Sequence, residues 1–578
     1  MARYQFREQL AVSWESRLNI IVWLTLAGLC LITYRLFQKS VVEHPIYAAK
    51  AESQYEVSRE LPSKRGAIYA QDFQLGTTVP IAATEELFDI SVVPRNIKDK
   101  KEAAAILAKV FELDEQDIFS QIDNEKLYLP PLVRGVNKKK RDEIVEQGFA
   151  GLLIERHNQR VYPENSTAAH LLGFVNREGV GNYGLEGYYD EDLIGKAGSV
   201  VGEKDTLGRI ISTVSEVRPE DGNDLELSID HNVQYALEEI LTKAVEEYEA
   251  ESGLFILMNP KTGALIAASG SRSFDPNHYS DIPVEETDRY LNPAISNVYE
   301  PGSIFKPLIM SAAIDYGKVE PGTEETFGKD VYVQGYRIST AEDKAFGTET
   351  MTQVLENSDN VGMVWVAGKM SNEELYNKLV AYGFDSKSGI ELSGETLGYL
   401  LGLDNWHDIN RATMSFGQGI SATPLQLMRA WSAMINGGKL VRPYVVQRII
   451  GQRGVAVEVE PEINEGVISE ETSAKIREML ESVVVKGHGK LAAVKGYRIG
   501  GKTGTAQIAS PNGGYLEGEF IHSFMGFFPA NDPEYLLLVK LDKPKTKEFS
   551  ASTASPTFAK MATYILNYFQ VPQAGETE

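Results

Sequence analysis

In the stretch Glu300-Pro301-Gly302-Ser303-Ile304-Phe305-Lys306-Pro307 a hydroxyl and an amine stand three residues apart behind a Pro-Gly break. Pro and Gly stop whatever precedes them, and the apolar run Leu308 to Ala313 predicts a helix. Ser303 and Lys306 are therefore expected on its first turn and on one face. That pairing suits covalent catalysis. A serine hydroxyl is too weakly acidic to attack a carbonyl unaided, and a neighbouring lysine, kept neutral by burial, can take its proton. The helix N-terminus favours the negative charge that develops. Ser-x-x-Lys spacings are common on solvated helices, so this one needs partners.

Two further stretches supply them. Glu356-Asn357-Ser358-Asp359-Asn360-Val361-Gly362 offers a second hydroxyl and a carboxamide two residues apart on a loop or helix start, which alone reads as an N-cap. Gly500-Gly501-Lys502-Thr503-Gly504-Thr505-Ala506 puts a lysine on a Thr-rich extended segment, where Gly504 is expected to leave the backbone open to a strand of substrate. In this order, Ser303/Lys306, Ser358/Asn360 and Lys502/Thr503/Gly504 match the three-part signature of the penicillin-recognising serine acyl transferases.

From its apolar N-terminal stretch almost to its C-terminus the chain resembles a class B penicillin-binding protein, a monofunctional peptidoglycan D,D-transpeptidase. Arg65-Gly66-Ala67-Ile68, Arg160-Val161-Tyr162-Pro163 with Ala169-His170, and Gly184-Leu185-Glu186 resemble motifs of that family's N-terminal module. Phe416-Gly417-Gln418-Gly419 with Thr423-Pro424-Leu425-Gln426 resembles a segment of its catalytic domain. After Ile68 the family usually continues with an Asp-Arg pair and Gly, whereas Tyr69-Ala70-Gln71-Asp72 follows here, a departure in a non-catalytic turn that leaves the chemistry untouched.

The resemblance implies roles for particular residues. Ser303 would attack the carbonyl between the two terminal D-alanines of a stem peptide, with Lys306 as the base. Ser358 and Lys502 would relay the proton to the leaving amine, Asn360 would hold the substrate amide, and Thr503 would meet the terminal carboxylate. The N–H groups of Ser303 and Thr505 would form the oxyanion hole, beside Gly504. β-Lactams would acylate Ser303 through a strained amide. No metal or other cofactor is implied. Implied partners are peptidoglycan stem peptides, β-lactam antibiotics, a membrane-embedded glycosyltransferase and other wall-synthesis or division proteins. The single anchor, modest length and lack of an appended C-terminal domain resemble the septal, cell-division type more than the elongation type. A non-catalytic β-lactam sensor or scaffold is the alternative within this signature. A serine β-lactamase or carboxypeptidase would share the motifs, but anchor and pedestal argue against a β-lactamase.

The elements that must position these groups are spread along 578 residues, enough for at least two cores. The net charge of −24 argues against nucleic acid, whose phosphates demand a basic surface. Cys30, the one cysteine, excludes an intrachain disulfide, and the eight histidines show no ligand spacing, so His157 and His170 read as ordinary residues. Leu18 to Tyr34 is almost wholly apolar and lacks a small-residue cleavage site at its end, which predicts one transmembrane helix rather than a signal peptide. Arg3, Arg7 and Arg17 before it and Arg35, Lys39 and Lys50 after it leave the orientation open. The resemblance implies a single pass through the bacterial cytoplasmic (inner) membrane, with the catalytic domain outside the cytoplasm.

The expected organisation is a cytoplasmic segment 1–17, the transmembrane helix 18–37, a pedestal of the dimerisation type 38–222, a transpeptidase domain 223–570 and a tail 571–578. In the pedestal, Ala67 to Tyr69 and Leu87 to Val93 read as strands and Lys101 to Leu113 as helix. The turn cluster Asp221-Gly222-Asn223-Asp224 marks the boundary, followed by a strand Leu225 to Ile229 and a helix Val233 to Tyr248. Phe255 to Met258 and Ala264 to Ala268 flank a five-residue loop as a hairpin, and Phe524 to Phe528 and Tyr535 to Val539 add strands. Phe558, Met561, Ala562, Ile565, Leu566 and Phe569 give a C-terminal helix one apolar face. Residue patterns alone support only a mixed α+β class. The resemblance implies an antiparallel sheet flanked by helices plus a helical subdomain that holds Ser303 and Ser358.

One rival motif is present. Gly496-Tyr497-Arg498-Ile499-Gly500-Gly501-Lys502-Thr503 fits the phosphate-loop pattern, with Tyr535 to Asp542 as its second strand, and would make the chain a nucleotide hydrolase. A phosphate loop must open a helix at its lysine. Gly504 and Thr505-Ala506-Gln507-Ile508 read as strand instead, with Pro511-Asn512-Gly513-Gly514 closing a turn.

Overall fold

The computed structural model describes residues 14–127, 129–204, 210–341, 343–452, 454–510 and 513–574. Most of the expected segment 1–17, the end of the tail 571–578, and Pro511-Asn512 of the turn lie outside the described residues. The described residues fall into two compact units, one drawn from Met1–Ser63 and Lys196–Glu220, the other from Lys64–Gly195 and Asp221–Glu578.

In the first unit the apolar run forms the helix Trp14–Phe37. The stretch Ser16–Val42, 27 residues of mean hydropathy 2.0, is long and apolar enough to cross a bilayer. The helix His44–Tyr55 follows. Glu56–Leu61, Gly198–Lys204 and Ile210–Val217 pair as a three-stranded antiparallel sheet.

In the second unit the three N-terminal motifs converge on one carboxylate. Glu186, fully buried, accepts from Arg65 Nε at 2.6 Å, from Arg160 Nε at 2.7 Å and from the Tyr162 hydroxyl at 3.2 Å. A buried charge on that scale is tolerated because it is paired and hydrogen-bonded. The divergent Tyr69-Ala70-Gln71-Asp72 proves to be strand rather than turn, within Ile68–Asp72. It runs parallel to Asp224–Asp230, and Gln71 Nε2 donates to the Leu227 carbonyl at 2.8 Å. Asp224–Asp230 pairs on its other side with Val446–Ile450, so one sheet continues past the expected boundary at 222.

The catalytic sheet has five antiparallel strands in the order Leu265–Gly270, Ser252–Met258, Tyr535–Asp542, Tyr515–Phe528, Gly500–Ala509. Its inner strands are largely apolar on both faces, and both faces are covered. On one side His231–Glu247 and Ala554–Tyr568 pack, burying Leu237, Leu241, Phe558, Met561, Ile565 and Leu566 with Phe255 and Phe524. On the other, Ile256, Met258, Met525 and Leu538 join a large core with Lys306–Asp315, Asn360–Gly368 and Pro424–Ile435. The expected hairpin, late strands and C-terminal helix are all present. Lys502 lies inside the Gly500–Ala509 strand, which no phosphate loop allows.

Candidate active site

Ser303 sits on a 3-10 turn, Gly302–Phe305, and the α-helix begins only at Lys306, with Pro307 in its first turn. The sequence suggests one continuous helix, but Pro307 is at home only at a helix start. The tighter turn still brings positions i and i+3 to one side, so the two residues stay together. Four hydrogen bonds hold that turn and the residue that leads into it. Trp431 Nε1 donates to the Ile304 carbonyl at 3.0 Å, and the Gly302 N–H donates to the Gly417 carbonyl at 3.1 Å. Glu300 accepts from the Gly419 N–H and from the Tyr515 hydroxyl, both at 2.9 Å. A Cβ on Gly417, whose φ is +80°, would come within 2.2 Å of the Gly302 oxygen. Only glycine lets the two loops touch there.

Ser358 stands at the end of the helix Met351–Glu356, with φ +55°. Asp359, not Ser358, caps the next helix, accepting from the Val361 N–H at 2.8 Å. The cap leaves the Ser358 hydroxyl and the Asn360 amide for other partners. Lys306 Nζ, wholly buried, donates to the Ser358 carbonyl at 2.6 Å and to Asn360 Oδ1 at 2.7 Å, and lies 3.1 Å from Ser358 Oγ. Asn360 Nδ2 donates to the Ser339 carbonyl at 3.0 Å, so both ends of its amide are engaged. Lys502 Nζ, equally buried, lies 3.0 Å from the same Ser358 Oγ and 3.3 Å from Thr503 Oγ1. Among the described residues Ser303 Oγ, half-buried, has no hydrogen-bond partner.

Two ammonium groups cannot share one buried hydroxyl without cost. Burial, with the Lys502 charge adding to it and Asp359 opposing, holds Lys306 well below the usual lysine range. Burial lowers Lys502 to about 7. A neutral Lys306 has two N–H donors and one lone pair. The Ser358 and Asn360 carbonyls take the donors, which leaves the lone pair to receive a proton.

Lys502, Thr503 and Thr505 belong to the edge strand of the sheet, opposite Met525, Phe524 and His522. An edge strand presents unpaired backbone groups to which an extended peptide can add. Gly504 has a packing reason of its own: a Cβ there would meet Ser523 Oγ at 2.5 Å and Ile304 Cγ2 at 2.9 Å. Its bare backbone lets the strand close on the Ser303 turn. The Thr505 hydroxyl donates to Ser550 Oγ at 3.0 Å and accepts from the Ser550 N–H at 3.2 Å. Sequence reasoning missed Glu300, Trp431 and Ser550. Glu300 adjoins the motif and could have been found; nothing local marks the other two.

Residues 253–563 match the family described as penicillin binding protein transpeptidase domain, and residues 60–227 match the penicillin-binding protein dimerisation domain. The chain is 35% identical over 509 residues to stage V sporulation protein D of Bacillus subtilis, covering 86% of this chain and 78% of that protein. It is 29% identical over 572 residues to the peptidoglycan D,D-transpeptidase FtsI of Escherichia coli, covering 97% and 92%. The fold matches the crystal structure of penicillin binding protein 3 from Mycobacterium tuberculosis complexed with aztreonam, with TM-score 0.69, 25% identity, and coverage of 89% and 98%.

Proposed function

The chain belongs to the penicillin-binding protein transpeptidases, and from that premise we propose that it is a serine D,D-transpeptidase that cross-links peptidoglycan. The observation that carries the reading is the convergence of two buried, pKa-lowered lysines on the Ser358 hydroxyl, beside a serine one helical turn from the first of them.

The chemistry follows from those positions. Ser303 Oγ attacks the carbonyl between the terminal D-alanines as Lys306 takes its proton. The tetrahedral oxyanion is met by the Ser303 and Thr505 N–H groups, and each such donor contributes about a hundredfold or more in rate. Ser358, between the two amines, passes a proton to the departing D-alanine nitrogen, and the C–N bond breaks. Lys502 and Thr503 hold the terminal carboxylate, and Asn360 the peptide amide. An amine of a neighbouring stem peptide then attacks the acyl-enzyme and releases Ser303. β-Lactams follow the first half of this course and stop there.

The apolar Trp14–Phe37 helix supports a single-pass anchor, and the likeness to penicillin-binding transpeptidases supports a catalytic unit outside the cytoplasm. The near full-length match to FtsI supports a septal-type role, served with a membrane glycosyltransferase and division proteins as partners. The higher identity to a sporulation protein favours a second destination for the same chemistry, wall synthesis during sporulation. Loss of the gene separates them by blocking division or only spore formation.

A fluorescent penicillin is expected to label the purified protein covalently, and Ser303→Ala to abolish the label; stoichiometric labelling of that variant would overturn the assignment. Turnover of lipid-linked peptidoglycan separates an enzyme from a non-catalytic sensor.

A further inference from the structure

Behind Ser358 lie two carboxyls that acyl transfer does not use. Glu349 is on the short strand Gly347–Thr350, and Asp359 caps the helix Asn360–Gly368. Their exposures are 2% and 0%. Glu349 Oε1 accepts from Asn357 Nδ2 at 2.7 Å, and Asp359 Oδ1 accepts from the Val361 N–H at 2.8 Å. The other oxygen of each, Glu349 Oε2 and Asp359 Oδ2, is buried and meets no donor among the described residues. The two carboxyls are within hydrogen-bonding reach of each other. Two ionised carboxylates are acceptors only and would repel at this depth, whereas one proton between them satisfies both orphaned oxygens.

We propose that Glu349 and Asp359 share a single proton, and that this carboxyl–carboxylate pair positions the Ser358 hydroxyl and the Asn360 amide for proton transfer. Ser358 needs such support. Its φ of +55° is a left-handed conformation that is strained for a serine. Glu349 grips the residue on each side of it, Asn357 directly and Asp359 through the proton. The same Asp359 charge favours the ammonium form of Lys306. The pair thus touches both the geometry of the relay and the basicity of its lysine.

The charged groups around the pair leave it no better partner. Glu325 stands opposite Glu349 across the strand pair, Glu356 approaches from the helix Met351–Glu356, and Lys306 binds on the far side of Asp359's neighbours, with Lys502 beyond it. Burial first, then Asp359 and Glu356 against the opposing Asn357 bond, raises Glu349 from 4.5 to about 7. An acid raised in the native state contributes stability that is complete below its unfolded value of 4.5 and lost as pH rises through about 7. The relay is therefore expected to loosen on the alkaline side.

The proposal rests on the acyl-transfer reading only through its rate assay, and absence of penicillin labelling in the parent would count against that reading alone. The full chain is titrated by infrared spectroscopy, and its acylation by a β-lactam is followed by stopped flow across the same pH range. The parent is expected to show a protonated-carboxyl band that disappears near neutral pH and is missing in Glu349→Gln. Glu349→Gln can donate to Asp359 and accept from Asn357, so it is expected to acylate within about threefold of the parent at slightly acid pH and to keep that rate at higher pH. Glu349→Ala is expected to lose about tenfold or more at every pH. The inference is overturned if Glu349→Gln is as slow as Glu349→Ala, if Glu349→Ala matches the parent, or if the band persists in Glu349→Gln. Should Glu349→Ala fail to fold, the band and the Glu349→Gln profile decide.

Discussion

Lys306, Ser358 and Lys502 form one hydrogen-bonded line, so their removal should have unequal effects. Lys306→Ala deletes the base and is expected to slow acylation by a β-lactam by about a hundredfold to ten-thousandfold. Ser358→Ala is expected to cost less, since water can replace a hydroxyl between two amines. Stopped-flow acylation ranks the two. Lys502→Ala tests the coupling between the lysines. The Lys502 charge helps to lower Lys306, so its removal raises Lys306, and the rising limb of acylation against pH is expected to move to higher pH. An unmoved limb would mean that the amines titrate independently. These residues were legible in the sequence because their chemistry demands specific side chains at short spacing. Glu349 and Trp431 were not. Their roles depend on what lies across a buried interface, and an isolated Glu or Trp carries no sign of that.

The turn, the loop and the edge strand that meet at Ser303 can touch only because Gly417 and Gly504 carry no side chain. Gly417→Ala would bring a Cβ within 2.2 Å of the Gly302 oxygen at a backbone φ of +80°, with about 1–3 kcal/mol of strain from the conformation alone. Acylation and melting temperature are both expected to fall. Trp431→Phe removes the bond to the Ile304 carbonyl and is expected to cost about 0.5–1.5 kcal/mol in stability, measured by denaturant unfolding. The elements themselves were largely visible in sequence patterning. Ser252–Met258 and Leu265–Gly270 flank a polar Pro-Gly loop, and the helix Ala554–Tyr568 shows its apolar stripe. The break between the 3-10 turn and the helix at Lys306 was marked only by Pro307, which belongs at a helix start, while Pro301-Gly302 marks a start of its own a turn earlier. The parallel pairing of Ile68–Asp72 with Asp224–Asp230 was hidden, since long-range register leaves no local trace.

At the scale of the molecule, the proposed topology, with the Trp14–Phe37 helix as anchor, predicts where the rest of the chain is found. Alkaline phosphatase fused after Gln570 is expected to be active, and a reporter that fluoresces only in the cytoplasm to stay dark there; the reverse pattern would refute the proposed topology. Because Tyr535–Asp542 lies between Ser252–Met258 and Tyr515–Phe528, the growing polypeptide cannot close its catalytic sheet until its final segments have left the ribosome. Until then Ser252–Met258, six of whose seven residues end up buried, has only its hairpin neighbour. Each newly made molecule therefore spends the end of its synthesis inert and with an apolar strand edge open to wrong pairings. A premature stop shortly before residue 535 would remove the strand on which the sheet closes, and with it the support of the Lys502 strand and its neighbour.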